Sequence, residues 1–294
     1  MNKLYLNILL IVLSFAANGQ QTDSTKTIAI PNNPLTRTQK YLIVGLAAHQ
    51  TANFVIQYNW WWRGQEKKFN IEKDGFFDNY SLGVDKLGHF YTSYYYYQAV
   101  NELMTLAKYN EKTKAIISIA LPMIWAVSIE FGDGFSPFGF SFEDLTANTL
   151  GVTYGILQRN IKPLQYFKFK MGYYPTAGYI NNNFRNWVLS NDYSGHIYWL
   201  TFDMHNLVST NYKKYFPPFL NLAIGYGVDN YGTYTNGPIE NKFCIGLDWN
   251  LGSIKLKNKY IITTRNLLDY IHFPAPGIRK TNGKETDFEW LLLN

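Results

Sequence analysis

Three short patterns hold the residues able to do chemistry: Asp85-Lys86-x-x-His89, Glu130-x-x-Asp133 and Ser141-x-Glu143-Asp144-x-x-x-Asn148-x-x-Gly151. They interrupt apolar stretches such as Ile116 to Ile129. Taking a carboxylate out of water costs several kcal/mol unless something pairs with it, so these acids are expected to share partners in one site. Asp85 and His89 are four apart and fall on one helix face, where a carboxylate fixes the imidazole tautomer and raises its basicity. That arrangement suits His89 as a general base or a metal ligand, with Glu130 and Asp144 as its partners. His89, Glu130 and Asp144 are therefore both the candidate catalytic residues and the candidate metal ligands. Asp85, Lys86, Asn148 and Gly151 read as the polar core around them.

Plainer readings stand beside these. Asp85 falls in a first helical turn, where the dipole favours an acid. Ser141 is placed to cap a helix with Asp144 at the third position, and Asp133 between two glycines reads as a turn residue. Glu130 at a helix C-terminus gains nothing from the dipole, so it is expected to answer to His89 or Lys86. Asp144, Asn148 and Gly151 line one face, and the glycine is expected to let two helices approach closely. No G-x-S-x-G, H-E-x-x-H or phosphate-loop pattern occurs, so a shared polar site is indicated without a reaction or a cofactor.

The elements that position these residues read as helices over roughly 38–58, 84–108, 113–130 and 143–159. Tyr41 to Trp62 has no Asp, Glu, Lys or Arg and is long enough to span a membrane, but it contains His49, Gln50, Asn53 and Gln57. Pro122 interrupts the shorter run Ala115 to Ile129. A buried helical bundle is expected, with membrane-embedded helices as the alternative.

After Pro163 the period changes to two. Phe167, Phe169, Met171 and Tyr173 alternate with Lys168, Lys170 and Gly172; Leu222, Ile224 and Tyr226 alternate with Ala223, Gly225 and Gly227. Phe243, Ile245, Leu247 and Trp249 repeat the pattern, Tyr198 to Met204 supply another strand, and Phe288 to Leu292 a last one. The expected fold is α+β: a bundle of about four helices followed by an antiparallel sheet of five or six strands, open or a partial barrel. Large side chains on one face and small or polar ones on the other resemble an outer-membrane strand, yet the strands are too few for a complete barrel. Helices covering the sheet are the expected arrangement.

Residues 1–19 read as a secretory signal peptide, 20–37 as a linker, 38–162 as the helical region and 163–294 as the sheet region. Cys244 is the only cysteine, which excludes an internal disulfide and any cysteine-based metal cluster. Charged residues make up 16% and aromatics 18%, against about 25% charged in ordinary domains. A net charge of +6 without a dense basic block argues against nucleic acid and for an anionic envelope surface. The chain is expected in the periplasm or at the outer membrane, contacting membrane lipid or an envelope protein through Trp60, Trp61, Trp62, Phe243, Ile245, Leu247 and Trp249. The alternatives are a hydrolase-like or metal-dependent enzyme acting on envelope lipid or glycan, and an integral membrane protein.

The order D-K-L-G-H-F at 85–90, Glu130 with Asp133, and S-F-E-D-L-T-A-N-T-L-G at 141–151 resembles the YfiM-like family of predicted periplasmic proteins, a domain of unknown function. More distantly it is similar to VanZ-like membrane proteins. The resemblance covers about residues 38–160 and implies that Asp85, His89, Glu130, Asp144 and Asn148 are characteristic positions; it supplies no reaction. This chain lacks the acylated cysteine of the lipoproteins in that family.

Overall fold

The computed structural model describes residues 34–181, 189–231 and 237–293. The expected signal peptide and most of the linker lie outside them. Thr36 and Gln39 form a reciprocal capping box that starts helix α1, Arg37–Gln57, which ends in a π turn, Tyr58–Trp62. Helices α2 (Val84–Leu106), α3 (Glu111–Gly134) and α4 (Phe142–Asn160) follow. Strand β1, Ile71–Glu72, pairs in parallel with β2, Phe140–Ser141, and ties the loop before α2 to the start of α4.

Two local readings change. Helix α3 runs through Pro122 without a break; the ring's missing N–H leaves the carbonyl of Ser118 without its usual donor. The helix also continues to Gly134, so Glu130 and Asp133 lie in its last turns and Asp133 is not a turn residue. Helices α2 and α4 pack closely because Gly151 has no side chain. A Cβ there would meet the Phe90 carbonyl and come within 3.0 Å of the Tyr94 amide nitrogen, both backbone atoms that cannot yield.

The C-terminal half is a six-stranded antiparallel sheet in chain order, not closed into a barrel: β3 (Phe167–Tyr173), β4 (His196–Phe202), β5 (Leu220–Asp229), β6 (Glu240–Trp249), β7 (Ala275–Thr281) and β8 (Thr286–Leu292). Its first strand is bridged by the chain just before β7, where Met171 pairs with Ile271. Strand β7 and helix α5, Lys259–Leu268, are additions to the sequence reading. Pro276 and Gly277 conceal the strand, and the pairing shifts there because β8 carries an extra residue between Glu289 and Leu292, opposite Gly277 and Ala275.

The sheet is inverted relative to a water-soluble layer. Its inner face buries Lys170 and Asp248 beside an apolar cluster of Ile197, Trp199, Ala223, Cys244 and Leu292, and Asp269 at the end of α5 and His272 before β7 join them, His272 stacked on Trp199 at 4.0 Å. Lys170 is 0% exposed and bonds Asp248 at 2.8 Å, Asp269 at 3.1 Å and the Trp249 carbonyl at 3.0 Å. Gly225 makes room for the Trp199 ring, which a Cβ there would meet at 2.8 Å. On the outer face, α2 covers β3, β4 and one end of β5, through contacts such as Phe90 on Phe169, Tyr91 near Tyr198 and Val84 with Val228. The rest of that face carries Leu222, Ile224, Phe243, Ile245, Ile278 and Phe288 exposed. The expectation that helices cover the sheet therefore holds at β3, β4 and the Tyr226–Val228 end of β5, and fails over the rest of β5 and beyond it.

Candidate functional site

The start of α2 is locked by its own sequence. Asn79 Oδ1 accepts from the amides of Ser81 and Gly83, and Ser81 Oγ accepts from the amide of Asp85. Gly83 takes a φ of 86°, a left-handed value that suits glycine. This fixes Asp85, His89 and Ser93 along one face at four-residue spacing. Ser141 caps α4, accepting from the Asp144 amide at 3.1 Å, and so aims Asp144 and Asn148 at α2. Helix α3 brings Glu130 and Asp133 to the third side.

Three carboxylates meet around Lys86. Its ammonium bonds Asp74 and Asp85 Oδ2, the latter at 2.9 Å, and lies 2.5 Å from Asp144 Oδ1. His89 lies alongside, with Nε2 3.7 Å from Asp85 Oδ1 and 3.6 Å from Asp144 Oδ1. Its other nitrogen, Nδ1, faces Asn148 Nδ2 at 3.1 Å and Glu130 Oε1 at 3.8 Å. Ser93 donates to Asn148 Oδ1 at 2.7 Å, which orients the amide. Tyr193, from the turn before β4, donates to Asp85 Oδ1 at 2.5 Å, and Trp62 Nε1 donates to Asp133 at 2.7 Å.

The cluster opens onto a cavity of about 780 Å³ whose walls include Trp61, Trp125, Tyr80, Tyr198 and Tyr231. The His89 side chain is 18% exposed there, so the imidazole is reachable. Such a space, aromatic with a few convergent charges, suits a small polar group carried on an apolar body. His89 can exchange a proton with a bound group, Asp85 and Asp144 can stabilise its charge, and the same atoms can hold a cation.

The electrostatics follow from burial and crowding. Burial raises the carboxyl of Glu130 to about 8, with Asp144 and Asp133 adding to the effect and His89 opposing it. Burial likewise raises Asp133 to about 6. For His89, burial opposes the charge, but Asp144, Asp85 and Glu130 outweigh it and lift the imidazole to about 9. For Asp85, burial is overcome by His89 and Lys86, which hold it down to about 2. When charged, His89 donates from both nitrogens, and the Asn148 amide must then turn its oxygen to the ring while Ser93 accepts.

A stability prediction results. Glu130, Asp133 and His89 bind protons more tightly folded than unfolded, so unfolding releases protons and stability falls as pH rises. The loss from Glu130 runs from its ordinary 4.5 to about 8; that from His89 runs from 6.5 to about 9. Urea unfolding in a chelator is expected to show this decline, and Glu130→Gln to reduce the slope in the Glu130 window by up to about 1.4 kcal/mol per pH unit. An unchanged slope in that variant would contradict the assignment.

Residues 73–160 match a family described as predicted periplasmic lipoprotein (DUF2279). The match spans under a third of the chain and contains Asp74, Asp85, Lys86, His89, Glu130, Asp133, Asp144 and Asn148. The description supports a periplasmic or envelope location for this chain. No curated protein matches the chain, and no solved structure does either. The matched segment supplies the three site helices, whereas Trp62, Tyr193 and the sheet lie outside it.

The sequence patterns place His89, Glu130, Asp144, Asp85, Lys86 and Asn148 in one cluster, with Gly151 a turn further along the same helix contact. Glu130 reaches His89 and the Ser141 amide but not Lys86. Asp74, Tyr193 and Ser93 are site residues that sequence reasoning missed. Asp74 ends the charged stretch Glu66 to Asp74, and its proximity to Lys86 was the available signal. Of the expected membrane-facing side chains, Trp60, Phe243, Ile245 and Trp249 are exposed and Leu247 is half-buried. Trp61 lines the cavity, and Trp62 is buried against Gly132 and Asp133 instead of standing on the surface.

Proposed function

We propose that the protein is an envelope protein seated on a lipid surface, with the outer face of β5–β8 against the membrane and the charged cavity receiving a polar group brought by lipid or an envelope partner. The observation that carries this reading is the inverted sheet. Ile245 is 66% and Trp290 76% exposed while Lys170 is sealed, an order that a low-dielectric exterior favours and water does not. Ile224, Ile245, Ile278 and Phe288 are direct cross-strand neighbours, so the apolar face is continuous. Lys280 sits opposite Phe243 at one end of it, where a basic residue suits a headgroup layer. Helix α3 is, among the described residues, the one helix long and apolar enough to cross a membrane, and Ile116, Ile124, Val127 and Phe131 on it are exposed. A YfiM-like identity and the distant VanZ-like likeness are in keeping with this reading.

Flotation with phosphatidylethanolamine–phosphatidylglycerol vesicles tests it. The full chain is expected to float with the vesicles. Each large apolar side chain contributes about 1.5–3 kcal/mol, so replacing both Phe243 and Ile245 by Glu is expected to weaken binding on the order of 100-fold or more. Wild-type protein that stays in the soluble fraction, or a double variant that floats equally, would refute the proposal.

The reachable His89 favours a second reading, a hydrolase-like enzyme acting on envelope lipid or glycan with His89 as the proton-transfer group and Asp144 and Glu130 as its partners. Its test is mass spectrometry of envelope lipid and glycan extracts incubated with protein. Product formed by wild type and lost in a folded His89→Gln variant supports it; no product, or product from both, rejects it.

A further inference from the structure

We infer that Asp85, His89 and Asp144 form a binding site for one divalent transition-metal cation, with Glu130 as the positioning partner of the imidazole. The inference rests on the cluster geometry alone and does not require membrane seating. His89 Nε2 and one oxygen from each carboxylate lie within 4.8 Å of one another. With ligand bonds of about 2.0–2.2 Å, the two separations from Nε2, 3.6 and 3.7 Å, correspond to ligand–metal–ligand angles near 120°. One imidazole and two carboxylates suit Zn²⁺, Mn²⁺ or Fe²⁺ better than Ca²⁺ or Mg²⁺, which prefer all-oxygen shells. Three protein ligands leave a position open toward the cavity, where a water or an anionic group can complete the shell.

Lys86 does not use up the site. It takes Asp85 through Oδ2, and Oδ1, which accepts from Tyr193 at 2.5 Å, faces His89 with its second lone pair. Asp144 Oδ1 is ion-paired with the ammonium at 2.5 Å and also faces His89 Nε2 at 3.6 Å, so a cation on the imidazole side would share this oxygen with Lys86. Asp74, Asp85 and Asp144 surround a single lysine, so carboxylates outnumber the ammonium they enclose.

The second, independent observation is Glu130. It is 1% exposed, and its Oε1 has no hydrogen-bond partner among the described residues, yet it points at His89 Nδ1 from 3.8 Å. A metal on Nε2 requires the ring proton on Nδ1, and a carboxylate behind that nitrogen is the usual device for holding it there. The otherwise costly burial of an unpartnered carboxyl oxygen is explained by this role. Asn148 gives the same proton a second acceptor once its amide turns.

Titration of chelator-stripped full-length protein with Zn²⁺ and Mn²⁺, followed by calorimetry and metal counting, tests the inference. About one equivalent is expected. His89→Gln and Asp144→Asn are expected to weaken binding about 100-fold or more, and Glu130→Gln about 10–100-fold. His49→Gln, remote on α1, is expected to bind as wild type does. No binding of either ion by folded wild-type protein overturns the proposal whatever the variants do, and so does undiminished binding by a folded His89→Gln or Asp144→Asn variant.

Discussion

Lys86→Met is expected to destabilise the fold by about 3–5 kcal/mol, because it removes the cation from a buried group of carboxylates without removing the carboxylates. The Lys86 side chain is 5% exposed and the side chains of Asp74, Asp85 and Asp144 are nearly as enclosed. Burial disfavours the charge on Lys86, yet Asp85 and Asp144 raise its pKa above the usual lysine value, so the ammonium is the form the fold requires. Chemical unfolding monitored by circular dichroism gives the number. Adding Asp144→Asn to Lys86→Met is expected to recover part of the loss, since it takes away one of the stranded charges. A loss below about 1 kcal/mol, typical of exposed ion pairs, would show that the cluster is wetter than its geometry implies.

Lys170→Met is expected to cost as much, about 3–5 kcal/mol, for the same reason in the other half of the molecule. Lys170 joins Asp248 and Asp269 at the inner face of the sheet, and removing it leaves both acids sealed, with Lys168 beside Asp269 and His272 in contact with Asp248. Asp248 is pulled below the usual carboxylate range: burial opposes this, but a hydrogen bond from His272 and the charge of Lys170 prevail. Cross-strand order then weakens where β3, β6 and the chain before β7 meet. Amide exchange on β3 and β6 is expected to rise in the variant while exchange on α2 and α4 stays slow. Uniform loosening of the whole chain would count against a local ionic core.

The contrast between these two lysines explains what was readable in advance. Lys86 lies beside Asp85 and three residues from His89, so a charged cluster on helices was visible as spacing. Lys170 alternates with Phe169 and Met171, which revealed the strand but not the direction it faces. Period-two alternation separates two faces and is silent on which one meets water. The helices, apolar with polar interruptions at fixed intervals, were legible to within a few residues at each end; α3 ran four residues beyond its expected end. Strand β7 was hidden because Pro276 and Gly277 carry none of the strand signal. Asp74, Tyr193 and Trp62 reach the site from loops and a π turn, and long-range contacts of that kind leave no local periodicity to read. Trp62 shows the hazard most directly: within a tryptophan run it resembles an interfacial anchor, but its indole N–H goes to buried Asp133.

The inverted sheet is the central claim, and spin-label accessibility at position 245 tests it most directly. Cys244 is buried on the inner face, so an Ile245→Cys label is placed in a Cys244→Ser background. With vesicles present, a nitroxide at this position is predicted to collide freely with oxygen and to be shielded from a water-soluble nickel complex. Equal collision with the nickel complex in the presence and absence of vesicles would contradict the account.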